Sequence, residues 1–282
     1  MLPAAAMAMF SGLTFRKAPP RMSDAAAIET QADEPQAEAK KVLAIDIGGS
    51  KAKFLLSGEH EPRRVETGRG FTPQQLVDAI GEHTQDWDYK CLSIGYPGLV
   101  GDNGPRSEPG NLSGGWVGFN FAAAFQKPVR VLNDASMQAL GSYEGGRMLF
   151  LGLGTGLGST LIADNVIVPL ELGCLPAGIN GKPLYRDIGR TGMRRIGKRE
   201  WRRLVGKMVG FFSEAFLADY VVLGGGNSKY LRKLPGNARL GHNLTAFRGG
   251  FRLWEIDDIR TQSADAHPHG PVTPPDAPWR LI

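Results

Sequence analysis

Apolar runs rich in Val, Ile, Leu and Phe alternate along this chain with stretches whose apolar positions recur at helical spacing, which predicts a mixed α/β protein. KVLAIDIGG (41–49) is such a run and ends on a glycine pair, and SKAKFLLSG (50–58) is a second, so the core opens as strand, glycine turn, strand. TPQQLVDAIGEHTQDW (72–87) places a Thr N-cap ahead of a helical pattern, and CLSIGYPGLVG (91–101) returns as a strand. KPVRVLND (127–134) is a short strand running into a helix over ASMQALGSYEGG (135–146). MLFLGLGTGLGSTLIADNVIV (148–168) repeats the opening design. Lys198 to Ala218 then carries a helical pattern, and DYVVLGGG (219–226) is a last strand opening into three glycines. Two such hairpins, each followed by mixed helix and strand, predict duplicated α/β lobes around a central cleft.

Composition sharpens the boundaries. Of 19 prolines, four fall in the first 40 residues and five in the last 22, so 1–40 and 259–282 are expected to be disordered extensions flanking lobes at 41–135 and 136–258. Arg16 and Lys17 follow the apolar start instead of preceding it, the reverse of a secretory signal, and Met22 is a second candidate start. Two cysteines, Cys91 and Cys174, exclude a disulfide framework and a Cys-rich zinc module, and suit a reducing cytoplasm. No run of apolar residues is long enough for a membrane span. A net charge of +5 suits a polyanionic partner without naming one. Glycine is the outlier at 38 residues, which implies backbone lying close to backbone or to a ligand.

Three motifs carry candidate chemistry. In DIGGSKAK (46–53), Gly48 and Gly49 can aim backbone N–H groups at an anion, Ser50 adds a hydroxyl, Lys51 or Lys53 a cation, and Asp46 a carboxylate for hydrated Mg²⁺. An ordinary hairpin turn accounts for the same residues equally well. LGLGTGLGST (151–160) departs from a dinucleotide fingerprint at Ser159 and continues as strand, so Gly154, Thr155 and Gly156 suit a second phosphate-holding turn, or a plain glycine-rich turn. Asn133 and Asp134 stand where a strand meets a helix: either an N-cap pair, or a carboxylate placed to take a proton from a substrate hydroxyl. A fourth feature is the basic stretch Arg186–Lys207, nine Arg or Lys against two acids, a solvated helix face or a track for a long polyanion. Arg199, Arg202 and Arg203 are its candidates for contacting a phosphate donor.

In this order, DIGGSKAK, IGYPGLVG (94–101), NLSGGWVGFN (111–120), LNDASMQALG (132–141), LGLGTGLGS, LELG (170–173) and VVLGGGNSK (221–229) resemble the actin-like sugar kinases of the ROK family (repressors, open reading frames, kinases), and within it the polyphosphate glucokinase branch. The resemblance implies a two-lobed, ribonuclease H-like α/β fold and Mg²⁺-dependent phosphoryl transfer from ATP or polyphosphate to a hexose. It makes Asp46 the residue near Mg²⁺ and Asp134 the general base, with Asn111, Asn133 and Glu171 on sugar hydroxyls. It also puts Gly224, Gly225 and Gly226 where adenosine sits in ATP-using relatives, and implies a cytoplasmic homodimer. Many relatives read ELGH where this chain reads ELGC, so Cys174 replaces a sugar-binding His with a weaker hydrogen-bonding group. That change leaves open a different hexose, or a sugar or phosphate sensor with little catalysis. The family's cysteine zinc cluster is absent, no helix-turn-helix precedes the core, and the basic stretch lacks the interleaved aromatics of a nucleic-acid module.

Overall fold

The computed structural model describes residues 40–255 except 235 and 243, and the backbone of 280–281. The N-terminal extension, Met22 and most of the Pro-rich tail lie outside the described residues. The described residues belong to one compact unit.

Two sheets carry it. The first contains β1 (Val42–Ile47), β2 (Lys51–Leu56), β3 (Arg63–Glu66), β4 (Cys91–Tyr96) and β7 (Val129–Asn133) in the order β3-β2-β1-β4-β7. Between β4 and β7 lies a small ribbon, β5 (Val100–Gly101) with β6 (Gly104–Pro105). The second sheet contains β8 (Arg147–Leu153), β9 (Leu157–Ala163), β10 (Val166–Leu170), β11 (Tyr220–Gly224), β12 (Ala238–Leu240) and β13 (Arg280–Leu281), ordered β12-β11-β8-β9-β10-β13. In both sheets three strands run antiparallel and two more add in parallel on the far side of the first, so β1-β2-β3-β4-β7 and β8-β9-β10-β11-β12 are one topology used twice. The duplication read from the two glycine hairpins is thus present in the strand order. The chain's end adds one thing the sequence did not suggest: the Arg280–Leu281 backbone pairs in parallel with Val166–Ile167.

Local chemistry explains the helices. α1 (Pro73–His83) starts at a capping box in which the Thr72 side chain accepts from the Gln75 N–H and the Gln75 side chain accepts from the Thr72 N–H. It buries Pro73, Leu76 and Ile80, on the first-sheet core of Ile45, Phe54 and Ile94; burying Leu76 or Ile80 fully is worth about 1.5–3 kcal/mol. α2 (Phe121–Phe125) is a short turn capped by Asn120, and α3 (Asp134–Ser142) follows β7 directly. α4 (Tyr185–Ile188) leads into α5 (Arg190–Ala215), which starts eight residues before the helical pattern read from Lys198. The cause is Gly197, whose φ of 80° and ψ of 155° interrupt the helix and split its periodicity. α6 (Thr245–Arg252) was not foreseen at all.

α3 and α6 hold equivalent places after the last strand of each repeat, and they cross in contact through Gly141 and Gly249. A Cβ at Gly141 would lie 1.8 Å from the Thr245 carbonyl oxygen, and one at Gly249 would lie 1.7 Å from that of Met137. Only hydrogen fits there, which is why a helix may contain glycines that sequence rules treat as breakers. Arg252 seals the crossing by donating from one nitrogen to the carbonyls of Leu140 and Tyr143, each at 2.9 Å.

Candidate active site

The carboxyl ends of parallel strands β1 and β7, on either side of β4, bring two acids together, the place where open α/β sheets form ligand crevices. Asp46 sits near the end of β1, paired across the hairpin with Lys53 and across to Gly95 of β4. Burial pushes its carboxyl up to about 6, against the attraction of Lys53. Lys51 is turned away to Glu66, 3.0 Å apart in an exposed pair, so Lys53 is the cation that Asp46 feels. Gly48 and Gly49 are not among the glycines with positive φ, so the turn does not owe its glycines to left-handed backbone. Close approach demands them: a Cβ would come within 2.9 Å of the Lys51 carbonyl at Gly48, and of the Asn111 Cβ at Gly49. The exposed Asn111 therefore lies against this first turn, with Ser50 exposed beside it.

Asp134 is the first residue of α3. Its carboxylate accepts from the Ala135 N–H at 2.8 Å. Burial first, then the charge of Asp46 and, less, that of Glu171, push it up to about 7, although the Ala135 hydrogen bond pulls the other way. The preceding residue settles as the N-cap: Asn133 Oδ1 accepts from Ala135 and Ser136, and Nδ2 donates to the Gly98 carbonyl at 3.0 Å. Asn133 thus holds the IGYPG loop and Asp134 in place through backbone, and the second N–H of its Nδ2 is not used by these bonds. Ser136 and Thr160 share a hydrogen bond of 2.9 Å, and a Cβ at Gly158 would lie 2.8 Å from that of Ala135, so α3 is fixed against β9 and Asp134 against the second turn.

That second turn joins β8 to β9 where the first joins β1 to β2. The Gly154 carbonyl accepts from Asn227 Nδ2 at 2.7 Å and from the Arg190 N–H at 3.1 Å, while Thr155 is exposed at the tip. Gly225 adopts a φ of 76° and packs so near that a Cβ would fall 2.6 Å from the Leu153 carbonyl; Gly224 fits over the Phe150 ring. Of the three glycines, Gly226 is the exposed one. Ser159, where a dinucleotide fingerprint would have glycine or alanine, donates to the Leu170 carbonyl and accepts from the Leu172 N–H, which anchors the Glu171 segment. Glu171 is raised by burial, and Cys174 is an exposed free thiol one short helical turn on.

A cavity of about 310 Å³ opens behind the second turn, lined by Arg190, Met193, Arg194, Gly226, Asn227, Lys229 and Tyr230. Sequence reasoning expected Arg199, Arg202 and Arg203 at the donor end. Arg202 donates to the Tyr230 carbonyl, Arg203 pairs with Glu200, and Arg199 is exposed near Glu200, so none of the three lines this cavity. Arg190 and Arg194 were counted in the basic stretch but not singled out; their register to the cavity is set by the helix start at Gly189, which the pattern did not show. Lys229 stood beside the GGG motif and carried no signal of its own.

Among the described residues no group of three His, Cys, Asp or Glu is disposed to enclose an ion. Two neighbouring carboxylates whose ionisation burial opposes do fit Mg²⁺, which takes one or two carboxylates and leaves its other positions to water and substrate phosphate.

Residues 42–172, which include Asp46, Asp134, Glu171 and both glycine turns, match the family model of the ROK family. Over this region the chain is similar to the ROK family. A polyphosphate glucokinase of Mycobacterium leprae (strain TN) is 27% identical over 209 residues, 66% of this chain and 64% of its own, so the chain spans less than two thirds of that relative's length. The polyphosphate glucokinase of Mycobacterium tuberculosis (strain H37Rv) is also 27% identical, with 78% of it covered. The inorganic polyphosphate/ATP-glucomannokinase from Arthrobacter sp. strain KM superposes with a TM-score of 0.64 at 24% identity, over 79% of this chain and 99% of that one. A ROK family glucokinase from Streptomyces griseus, in complex with glucose and AMPPNP, gives 0.58 at 18% identity, over 76% and 98%. These likenesses establish the actin-like ROK fold expected from the motifs. No helix among the described residues is long and apolar enough to cross a membrane.

Proposed function

We propose that this protein is a sugar kinase that moves a phosphoryl group from polyphosphate or ATP to a hexose hydroxyl, glucose giving glucose 6-phosphate, with Asp134 as general base. One observation carries this: a carboxyl pushed up to about 7 stands at a helix start beside Asp46 and Glu171, between two glycine turns. A base whose proton affinity matches neutral pH is the one that best takes a proton during attack. The names of the mycobacterial relatives support the same reading.

In the step, the hexose oxygen forms a bond to the terminal phosphorus as its proton passes to Asp134. The bond from phosphorus to the bridging oxygen breaks, and the donor leaves one phosphoryl unit shorter with the electron pair on that oxygen. Asn133 fixes the base through its cap and its bond to Gly98. Asn111, Glu171 and the second Nδ2 hydrogen of Asn133 would orient the sugar, with Cys174 at the rim a weak partner for a further hydroxyl. The turns at Gly48–Ser50 and Gly154–Gly156 cradle phosphate oxygens. Asp46 would hold Mg²⁺, which when bound offsets charge on the transferring group. A cytoplasmic homodimer is part of this proposal, and gel filtration tests the dimer.

The experiment is detection of sugar phosphate from glucose and Mg²⁺ with polyphosphate or ATP, with Asp134→Asn as the blank. Turnover that survives in Asp134→Asn overturns the assignment of the base. Calorimetric sugar binding with no product from either donor would identify a sensor instead of a kinase.

A further inference from the structure

We infer that a second cavity, between the end of β2 and α6, is a binding site for a free α-amino acid with an aromatic or branched apolar side chain. It encloses about 370 Å³ and shares no lining residue with the active site. Its floor is apolar: Leu55 and Phe247 are buried with Ala44 in a small cluster, and the half-buried Leu244 and Phe251 pack against it. The rim is exposed and charged, an acid at Glu59 and a cation at Arg248, with His242 also on it. An apolar floor under a few convergent polar groups is the anatomy of a small-molecule site.

The rim selects the ligand. Glu59 and Arg248 stand at one mouth without pairing with each other, and neither makes a salt bridge to any other described residue. Arg63, the cation that feels Glu59, is committed to Asp86 through two hydrogen bonds of 2.6 Å. His242 Nδ1 accepts from the Leu244 N–H at 3.3 Å, which leaves the Nε2 proton to donate. A simple carboxylate would meet Arg248 and be repelled by Glu59, and a simple amine would meet Glu59 and be repelled by Arg248. A zwitterion answers both, with its carboxylate on Arg248 and His242, its ammonium on Glu59 and its side chain over Leu55 and Phe247. A hexose would instead bury hydroxyls against four apolar side chains without partners. The occupant touches β2 on one side and α6 on the other, so it braces the first sheet against the helix that crosses α3 at Gly141 and Gly249.

The test is titration calorimetry of the full chain with L-phenylalanine and L-leucine. Glycine, 3-phenylpropionate and 2-phenylethylamine, which lack in turn the apolar group, the ammonium and the carboxylate, are the comparison. Expected is saturable binding of the two amino acids, and affinity lower by about tenfold to a hundredfold for each truncated probe, as for loss of one buried side chain or one charge-assisted contact. Arg248→Gln should weaken phenylalanine by the same factor and spare 2-phenylethylamine, whereas Glu59→Gln should weaken phenylalanine and spare 3-phenylpropionate. Both side chains are exposed, so the fold should persist. Amide hydrogen exchange in α6 should slow when phenylalanine is bound. Absence of saturable binding, glycine binding as tightly as leucine, phenylalanine affinity that survives Arg248→Gln or Glu59→Gln, or unchanged exchange in α6 overturns the inference. None of these readouts requires turnover, so the outcome is independent of the kinase reading.

Discussion

Asp134→Asn should make the protein more stable at pH 8 while abolishing turnover, because the same burial that tunes the base opposes its charge. In the unfolded chain this carboxyl ionises near 3.8, and in the fold near 7. The folded state therefore binds the proton more tightly, and this group's effect on wild-type stability declines as pH rises from about 4 to 7 and is flat above. At ~1.4 kcal/mol per tenfold change in proton affinity the ceiling is about 4 kcal/mol. Asp134 keeps a partly solvated side, and screening there reduces the expected gain to about 1–3 kcal/mol at pH 8. The asparagine oxygen still accepts from Ala135, so the cap geometry survives the change. Urea unfolding of wild type and variant at pH 5, 6.5 and 8 reads the difference, which should grow across that series. A constant gap, or a variant less stable than wild type at pH 8, would refute the claim that burial and Asp46 hold this proton.

Asp46→Asn removes a like charge from Asp134, so in whatever activity remains the acid limb of kcat/KM should move to lower pH; a limb that stays in place or moves up separates the two carboxyls. Asn133→Ala should cost about 1 kcal/mol of stability through the lost cap and lower kcat more than it raises the sugar KM, since Asn133 acts by holding Asp134. Gly225→Ala forces a side chain onto a φ of 76° and into the Leu153 carbonyl, and should lose about 1–3 kcal/mol in thermal unfolding and weaken donor use before sugar binding. Gly249→Ala, at the α3–α6 crossing, should cost at least as much, read by urea unfolding, with no separate effect on either substrate.

What the sequence showed depended on how local the cause was. Strand–glycine–strand is a local pattern, so both hairpins and the duplication were legible, and so was the Thr72 cap. α6 was not, because its Gly249 and Gly250 look like breakers until α3 and β1 are packed against them; a Cβ at Gly250 would lie 2.6 Å from that of Ala44. The carboxylates were legible as types at strand ends, and Asn133 was legible as a cap, while its bond to the Gly98 carbonyl needed the fold. The basic stretch was legible in number and not in direction, since Gly197 hides where the helix begins.

Duplication also explains why the two turns, alike in topology, do different things. In the first repeat the turn is bordered by Asp46 and backed by Asn111; in the second it is backed by Gly225, Asn227 and the start of α5, which bring Arg190 and Arg194 with them. Acids therefore gather on one side of the Gly154–Gly156 turn and unpaired cations on the other. Under the proposed kinase reading, the phosphate end of a donor lying across that boundary would be left on the side of Asp134 and Asp46, with its remainder toward Arg190, Arg194 and Lys229.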